Sequence, residues 1–394
     1  MIAKTHPKRM HKLISLVLVA FLVITITACD NKDESTADAG ETIKIGALAP
    51  LTGPVSVYGV ATSRGAHLAV DEINAAGGIN GKQIEYVEYD EKGNTEEAIN
   101  AYNRLVNEDK VVALVGDVTT TPSIAVAQRA KEDNLPMITP TGTGVPITLQ
   151  GPNVFRVCFI DPDQGHMMAT YAAEKMDVSK VAIITNAADE YSVGLTEAFQ
   201  EKATELGIEI VATETYNSED VDFKTQLTKI SQENPDVLYA PDYYGTNILV
   251  IQQAKQVGLD VPILGGDGYD GVLSVTAENN PEEADGVIFT NHIVYSDPAE
   301  SIQNFYKNFS EKYDEDPISF AALGYDAVYL LAEAIEKAES TDRQAIIDAM
   351  KETNFAGITG NISFDDNGDP IKEISIVTVE NAEYKLVEKL QIER

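Results

Sequence analysis

Residues 43–90 read IKIGALAPLTGPVSVYGVATSRGAHLAVDEINAAGGINGKQIEYVEYD. The first seven, Ile43–Ala49, form a run of β-branched and small apolar residues, the composition of a buried strand. In SRGAHLAVDEINAA (63–76) apolar residues recur at helical spacing. Gly77-Gly78 then supplies the stop signal expected at a helix C-terminus. QIEYVEYD (83–90) is strand-like again. Strand, helix and strand in this order read as a right-handed βαβ unit with a parallel pair.

The same alternation continues downstream. TEEAINAYNRLVNED (95–109) reads as a helix and VVALVG (111–116) as a buried strand. PSIAVAQRAKEDN (122–134) reads as a helix ended before Pro136, and MIT (137–139) as a strand. A second set of similar size follows: VAIIT (181–185), EAFQEKATELG (197–207), IEIVATETY (208–216), DFKTQLTKISQENP (222–235), DVLYAP (236–241), ILVIQQAKQVG (248–258), PILGG (262–266) and GVIFT (286–290). The expectation is an α/β protein with two doubly wound, Rossmann-like lobes. After His292 the pattern turns helical at 298–313, 319–338 and 342–352. The segment 360–380 is expected to form two strands around Asn367-Gly368, a strong hairpin signal. The acids of DDNGD do not make a calcium loop, because Pro370 stands where that loop needs glycine.

The chain has 394 residues, with 63 Asp+Glu against 29 Lys+Arg, a formal charge of −34. A surface of that sign repels phosphate backbones and argues against a nucleic-acid partner. The N-terminus is the exception. Lys4, Lys8, Arg9 and Lys12 precede an apolar run from Leu13 to Ala28, the layout of a secretory signal and shorter than the ~20 residues of a spanning helix. Ile26-Thr27-Ala28-Cys29 resembles a lipoprotein box, with residues 1–28 removed and Cys29 lipidated. An uncleaved anchor helix and an ordinary signal with a coincidental cysteine are the alternatives. The lipoprotein reading is favoured because Cys29 is one of two cysteines and stands where the apolar run ends. Residues 29–42 then read as a flexible polar tether. Cys158 is left without a partner, as a buried apolar-like residue.

Gly266-Asp267-Gly268-Tyr269-Asp270-Gly271 satisfies G-x-G-x-x-G. It lies late in the second α/β set, no long helix follows it before Pro281, and Asp267 would repel a pyrophosphate. Dinucleotide binding is therefore rejected, and no cofactor is expected. The histidines form no metal-binding pair, and no nucleophile elbow or C-x-x-C occurs. Two loops carry a different device. VGDVTTTPS (115–123) and TPTGTGVP (139–146) each leave a buried strand crowded with hydroxyls and glycine, without Lys or Arg. Such loops hold a carboxylate through N–H and hydroxyl groups. Asp267, from the second set, suits an ammonium. Singly, each reads as an ordinary turn or cap; together they suit a zwitterion, an amino acid.

The segments ALAPLTGPVSVYG (47–59), GAHLAVDEINAAGGINGKQIE (65–85), VVALVG (111–116), PMITPTGTG (136–144), VFRVCFIDPDQG (154–165), DFKTQLTKI (222–230) and LGGDGYDG (264–271) carry a resemblance. In this order they resemble the branched-chain amino-acid-binding proteins of the type I periplasmic binding family, across residues 43–394. The resemblance implies two lobes, 43–160 plus 293–371 and 161–292 plus 372–394, joined by a three-segment hinge and closing on the ligand. It implies that Thr120 and Thr143 bind the α-carboxylate. The Thr141 carbonyl and Asp267 would hold the α-ammonium, assisted by Tyr243 or its rival Tyr244. Tyr58 and Phe320 would wall the side-chain pocket, Val118 and Gly142 would shape its floor, and Tyr191 would close over the ligand. Here Tyr191-Ser192 stands where the family commonly reads Tyr-Gly, and Thr120 where many relatives carry Ser. The expected function is a monomeric, lipid-anchored, extracytoplasmic binding protein that passes an aliphatic L-amino acid to the permease and ATPase of an ABC importer, without catalysis. A sensory ectodomain for another amino acid is the alternative.

Overall fold

The computed structural model describes residues 42–392. The expected signal segment, Cys29 and the tether up to residue 41 lie outside the described residues.

Strands β1 (Ile43–Ala49), β2 (Ile84–Asp90), β3 (Ala113–Val115), β4 (Met137–Thr139) and β5 (Val154–Arg156) form one all-parallel sheet in the order β2-β1-β3-β4-β5. Helices α1 (Ser56–Ala75), α2 (Thr95–Arg104) and α3 (Thr120–Glu132) provide its crossovers. The second sheet takes β6 (Lys180–Asn186), β7 (Glu209–Tyr216), β8 (Val237–Tyr239), β9 (Ile263–Gly265) and β10 (Ile288–Asn291), with α4 (Asp161–Glu174), α5 (Glu190–Glu205), α6 (Lys224–Gln232) and α7 (Tyr244–Gln256). Its parallel part runs β7-β6-β8-β9-β10, so each sheet winds outward in both directions from its own first strand. This is the doubly wound arrangement expected from the alternation.

The central strands are buried along nearly their whole length, as parallel strands covered on both faces must be. Val181 to Ile184 are all fully buried, as are Ile45, Ala113 and Leu114. The chain passes between the two sets of elements three times. After β5 it enters α4, and after β10 it returns to α8 (Glu300–Tyr313), α9 (Ser319–Ala338) and α10 (Arg343–Lys351). It then forms the short pair β11 (Phe355–Gly357) and β12 (Gly360–Ile362) before crossing to β13 (Glu373–Glu380) and β14 (Glu383–Gln391).

One local reading is corrected. Asn367-Gly368 does turn the chain, with the Gly368 N–H donating to the Asp365 carbonyl at 3.1 Å. The turn closes one bridge, Phe364 to Pro370, and no long hairpin. Pro370 has no N–H with which to extend a ladder. β13 pairs instead with β10 and with β14, both antiparallel. The strand β14 was not foreseen; its apolar residues Tyr384, Leu386 and Leu390 pack on the core from the sheet edge.

Helices α1 and α9 cross in close contact. A Cβ on Gly65 would lie 1.8 Å from the Ala321 carbonyl oxygen, and one on Gly324 would lie 2.2 Å from that of Thr62. Backbone thus packs directly on backbone, which brings Tyr58 of α1 and Phe320 of α9 into a stack with centroids 4.4 Å apart.

Candidate functional site

In open α/β sheets, ligands gather at the carboxyl ends of strands near the point where strand order reverses. Both sheets obey this rule, and they face the same cavity. From the first sheet come Tyr58 beyond β1, Val118 and Thr120 beyond β3, and Thr141 and Thr143 beyond β4. The second sheet supplies residues from its equivalent strands: Tyr191 beyond β6, Tyr243 beyond β8, and Asp267 beyond β9. Phe320, in the first turn of α9, completes the wall. The free space left between these side chains is only about 10 Å³, so the cleft is nearly filled by its own walls.

One end of the cavity is built from hydroxyls and amides. Thr120 opens the 13-residue helix α3, whose first N–H groups and dipole favour an anion. The Gly144 N–H donates to Thr120 Oγ1 at 3.2 Å, and Thr141 Oγ1 donates to the Val118 carbonyl at 2.6 Å, binding the two loops together. Asp161, behind Thr143, has its carboxyl pushed well above the ordinary range, chiefly by burial.

Gly142 is the sequence-expected residue that does not line the cavity. Its carbonyl is turned into the fold, accepting from Arg156 Nη1 at 2.9 Å and from Cys158 Sγ at 3.3 Å. A Cβ at Gly142 would meet Ile147 and the Thr139 hydroxyl at 2.8 Å, so the position needs glycine for packing beneath the loop. Arg156 was not foreseen as a site residue. It is fully buried, bonds Asp369 at 2.5 Å, and donates to the Gly144 carbonyl at 3.0 Å. Its signal in the sequence is a lone arginine inside the apolar run VFRVCF (154–159). Thr119 and Gly268, also unforeseen, complete the lining.

The opposite end holds Asp267, 2% exposed. Its Oδ1 accepts from the Tyr191 hydroxyl at 2.8 Å, and Tyr191 in turn accepts from the Gly268 N–H at 2.8 Å. Among the described residues its one ion-pair partner is His292, whose Nε2 lies 3.4 Å from Oδ2. Burial pushes that imidazole down to about 4 despite the neighbouring carboxylate, so at neutral pH the ring brings no charge. A carboxylate enclosed without a cation is costly. A ligand that carries a positive group removes that cost.

Between the poles the walls are aromatic. Tyr191 stacks on Tyr243 with centroids 4.9 Å apart, and Tyr58 meets Tyr243 edge-on at 5.8 Å. Tyr243 is the member of the Tyr243-Tyr244 pair that lines the cavity. Tyr244 packs outside it, edge-on to Tyr58 at 5.0 Å. The two sides touch across the cavity. The Tyr58 hydroxyl donates to the Gly268 carbonyl at 2.5 Å and accepts from the Tyr244 N–H at 3.0 Å. The Ser319 N–H donates to Asp270 at 2.7 Å.

The glycines of the G-x-G-x-x-G match have a steric reason. A Cβ on Gly266 or Gly268 would come within 2.8 or 2.9 Å of the Tyr191 hydroxyl, and one on Gly268 within 2.6 Å of the Asp242 carbonyl. Close approach of a tyrosine, and not of a pyrophosphate, accounts for the spacing. Among the described residues no cluster of His, Cys, Asp or Glu is placed to hold a metal ion.

A family model of periplasmic binding proteins matches residues 42–383. The leucine-, isoleucine-, valine-, threonine- and alanine-binding protein of Pseudomonas aeruginosa is 30% identical over 332 residues, covering 84% of this chain and 88% of its own. Among solved structures, LivJ of Streptococcus pneumoniae, a branched-chain amino acid transporter substrate-binding protein in complex with isoleucine, aligns with a TM-score of 0.83. It is 36% identical, and the match covers 89% of this chain and 99% of that one. The leucine-binding protein LivK of Thermotoga maritima also gives 0.83, at 34% identity with the same coverage. With an α/β architecture of two parallel-sheet lobes and a family match across nearly all the described residues, the chain belongs to the periplasmic binding protein family.

Proposed function

We propose that the protein captures a branched-chain or other aliphatic L-amino acid between its two lobes and delivers it to an ABC importer, acting as a binding protein and not as an enzyme. The observation that carries this reading is the meeting of Thr120, Thr143 and Asp267 in one small cavity. Hydroxyls and helix amides suit an α-carboxylate; a buried carboxylate without a cationic partner suits an α-ammonium. Tyr58, Phe320, Tyr243 and Val118 offer apolar surface to an aliphatic side chain, and Tyr191 holds Asp267 and closes the cavity. The Thr141 carbonyl would add an acceptor for the ammonium. In this reading the lobes are 43–160 plus 293–371 and 161–292 plus 372–394, and the three crossings between them are the hinge.

The relatives' names support the ligand class and the transporter partnership. The N-terminal sequence supports export and anchoring through lipidated Cys29, with the protein held as a monomer at the outer face of the membrane. A thermal-shift screen of the twenty amino acids tests the reading. At a hundredfold excess over Kd, a ligand specific to the folded state stabilises it by about 2.7 kcal/mol. Leucine, isoleucine and valine should give the largest shifts; a screen in which no amino acid shifts the transition defeats the proposal.

A further inference from the structure

His292 lies just beyond β10, in the second of the three crossings, and its ring is fully enclosed. One face stacks on Phe159, with centroids 3.8 Å apart and planes 15° from parallel. Phe159 belongs to the first crossing, between β5 and α4. The His292 carbonyl accepts from Ser375 Oγ at 3.3 Å, early in β13 and just past the third crossing. Its N–H donates to the Asn291 side-chain oxygen at 2.8 Å. The ring is thus held where all three crossings converge, and its Nε2 points at Asp267 Oδ2, 3.4 Å away.

The charged groups acting on the ring are few. Asp267 favours its protonation, while Lys372 opposes it together with the larger effect of burial. The Lys372 ammonium is itself engaged by the Val157 carbonyl at 3.0 Å and the Thr359 hydroxyl at 2.6 Å. With a carboxylate oxygen facing Nε2, that nitrogen is the one that carries the hydrogen. Nδ1 has no partner among the described residues, so the bond to Asp267 alone fixes the tautomer.

We propose that His292 is a positioning residue of the ammonium subsite: its Nε2–H holds Asp267 Oδ2 while Tyr191 holds Oδ1, fixing the carboxylate for the ligand's positive group. This rests on Asp267 being the partner of the α-ammonium. Two donors on two oxygens restrict rotation about the carboxylate's terminal bond. The Phe159 stack and the surrounding crossings restrict the ring that does so. Because an uncharged donor serves this purpose, the charge of Asp267 is left to the ligand.

Calorimetric titration of the full chain with leucine and with 4-methylpentanoate, which is leucine without its ammonium, separates this role from general packing. In His292→Phe, which keeps a ring against Phe159 and removes the donor, leucine affinity should fall about tenfold or more, the loss of one hydrogen bond to a charged group. The affinity for 4-methylpentanoate should stay within about twofold, because that ligand has no ammonium for the positioned carboxylate to hold. His292→Gln, which keeps an N–H donor, should recover most of the leucine affinity. Equal losses for both ligands, or no loss for either, overturns the proposal. Nitrogen-15 spectra of the unaltered protein provide a test that needs no variant: the Nε2-protonated tautomer is expected, and an Nδ1-protonated ring overturns the proposal. If the unaltered protein binds both ligands equally, or Asp267→Asn leaves leucine binding intact, the ammonium subsite itself fails and His292 with it.

Discussion

Asp267 is enclosed by Tyr191, Gly268 and His292, none of which supplies a positive charge at neutral pH. Its replacement by Asn keeps the shape and removes the charge. A charge-assisted bond contributes about 1.5–3 kcal/mol, so Asp267→Asn should weaken amino-acid binding at least tenfold, as read by calorimetry, while the variant stays folded. Tyr58 has a second duty besides packing on Phe320. Its hydroxyl bonds the opposite lobe twice, at Gly268 and Tyr244. Tyr58→Phe preserves the stack and deletes both bonds, at about 1 kcal/mol each. The expected result is a faster ligand off-rate with little change in the on-rate, measured by stopped-flow fluorescence. The two hydroxyl-rich loops and the acid Asp267 were legible in the sequence from their places after buried strands, whereas the choice of Thr120 and Thr143 within those loops came from the family resemblance. Arg156 and His292 were not legible, since they act from behind the loops and only packing brings them near.

The crossing of α1 and α9 shows what a pair of elements contributes. Gly65 and Gly324 let the two backbones touch, and that contact places Tyr58 against Phe320. Gly324→Ala sets a methyl group 2.2 Å from the Thr62 carbonyl oxygen. Forcing a group into a packed interior costs about 1–3 kcal/mol, and the helices must part to admit it. Urea unfolding should show that loss, and ligand affinity should fall with it through displacement of the aromatic wall. The helices themselves were readable from their apolar spacing. Their contact was not, because periodicity fixes which face is buried and leaves the partner open. For the same reason 360–380 was read as one hairpin: Asn367-Gly368 announces a turn, but nothing local says that the strands on either side join different partners.

At the level of the whole molecule, an acidic chain has enclosed several acids, and stability must depend on pH. Glu91 is fully buried beside Asp117, below the loop that carries Val118 and Thr120. Burial pushes Glu91 up to about 7, and Asp117 well above its ordinary value. A raised carboxyl binds its proton more tightly folded than unfolded, so its contribution is fully present below about pH 4.5 and is lost as the pH rises to about 7. Glu91→Gln should flatten that fall and raise stability at pH 8 by on the order of 1–3 kcal/mol. His292 works in the opposite sense. Lowered from 6.5 to about 4, it contributes stability above pH 6.5 that is lost as the pH drops toward 4. Urea unfolding of both proteins at pH 5 and pH 8 isolates the Glu91 effect; an unchanged difference between the two pH values refutes it. The two-sheet architecture was legible because strand–helix alternation repeats twice.

The matched strand order of the two sheets has one more consequence. Loops from equivalent strands of the two sheets meet at this cavity, so strand order alone does not tell its two ends apart. The chain distinguishes them chemically, with threonines on one jaw and a carboxylate on the other. On the proposed reading, a captured molecule is oriented as well as retained, and every copy would present the same end of its cargo to whatever receives it.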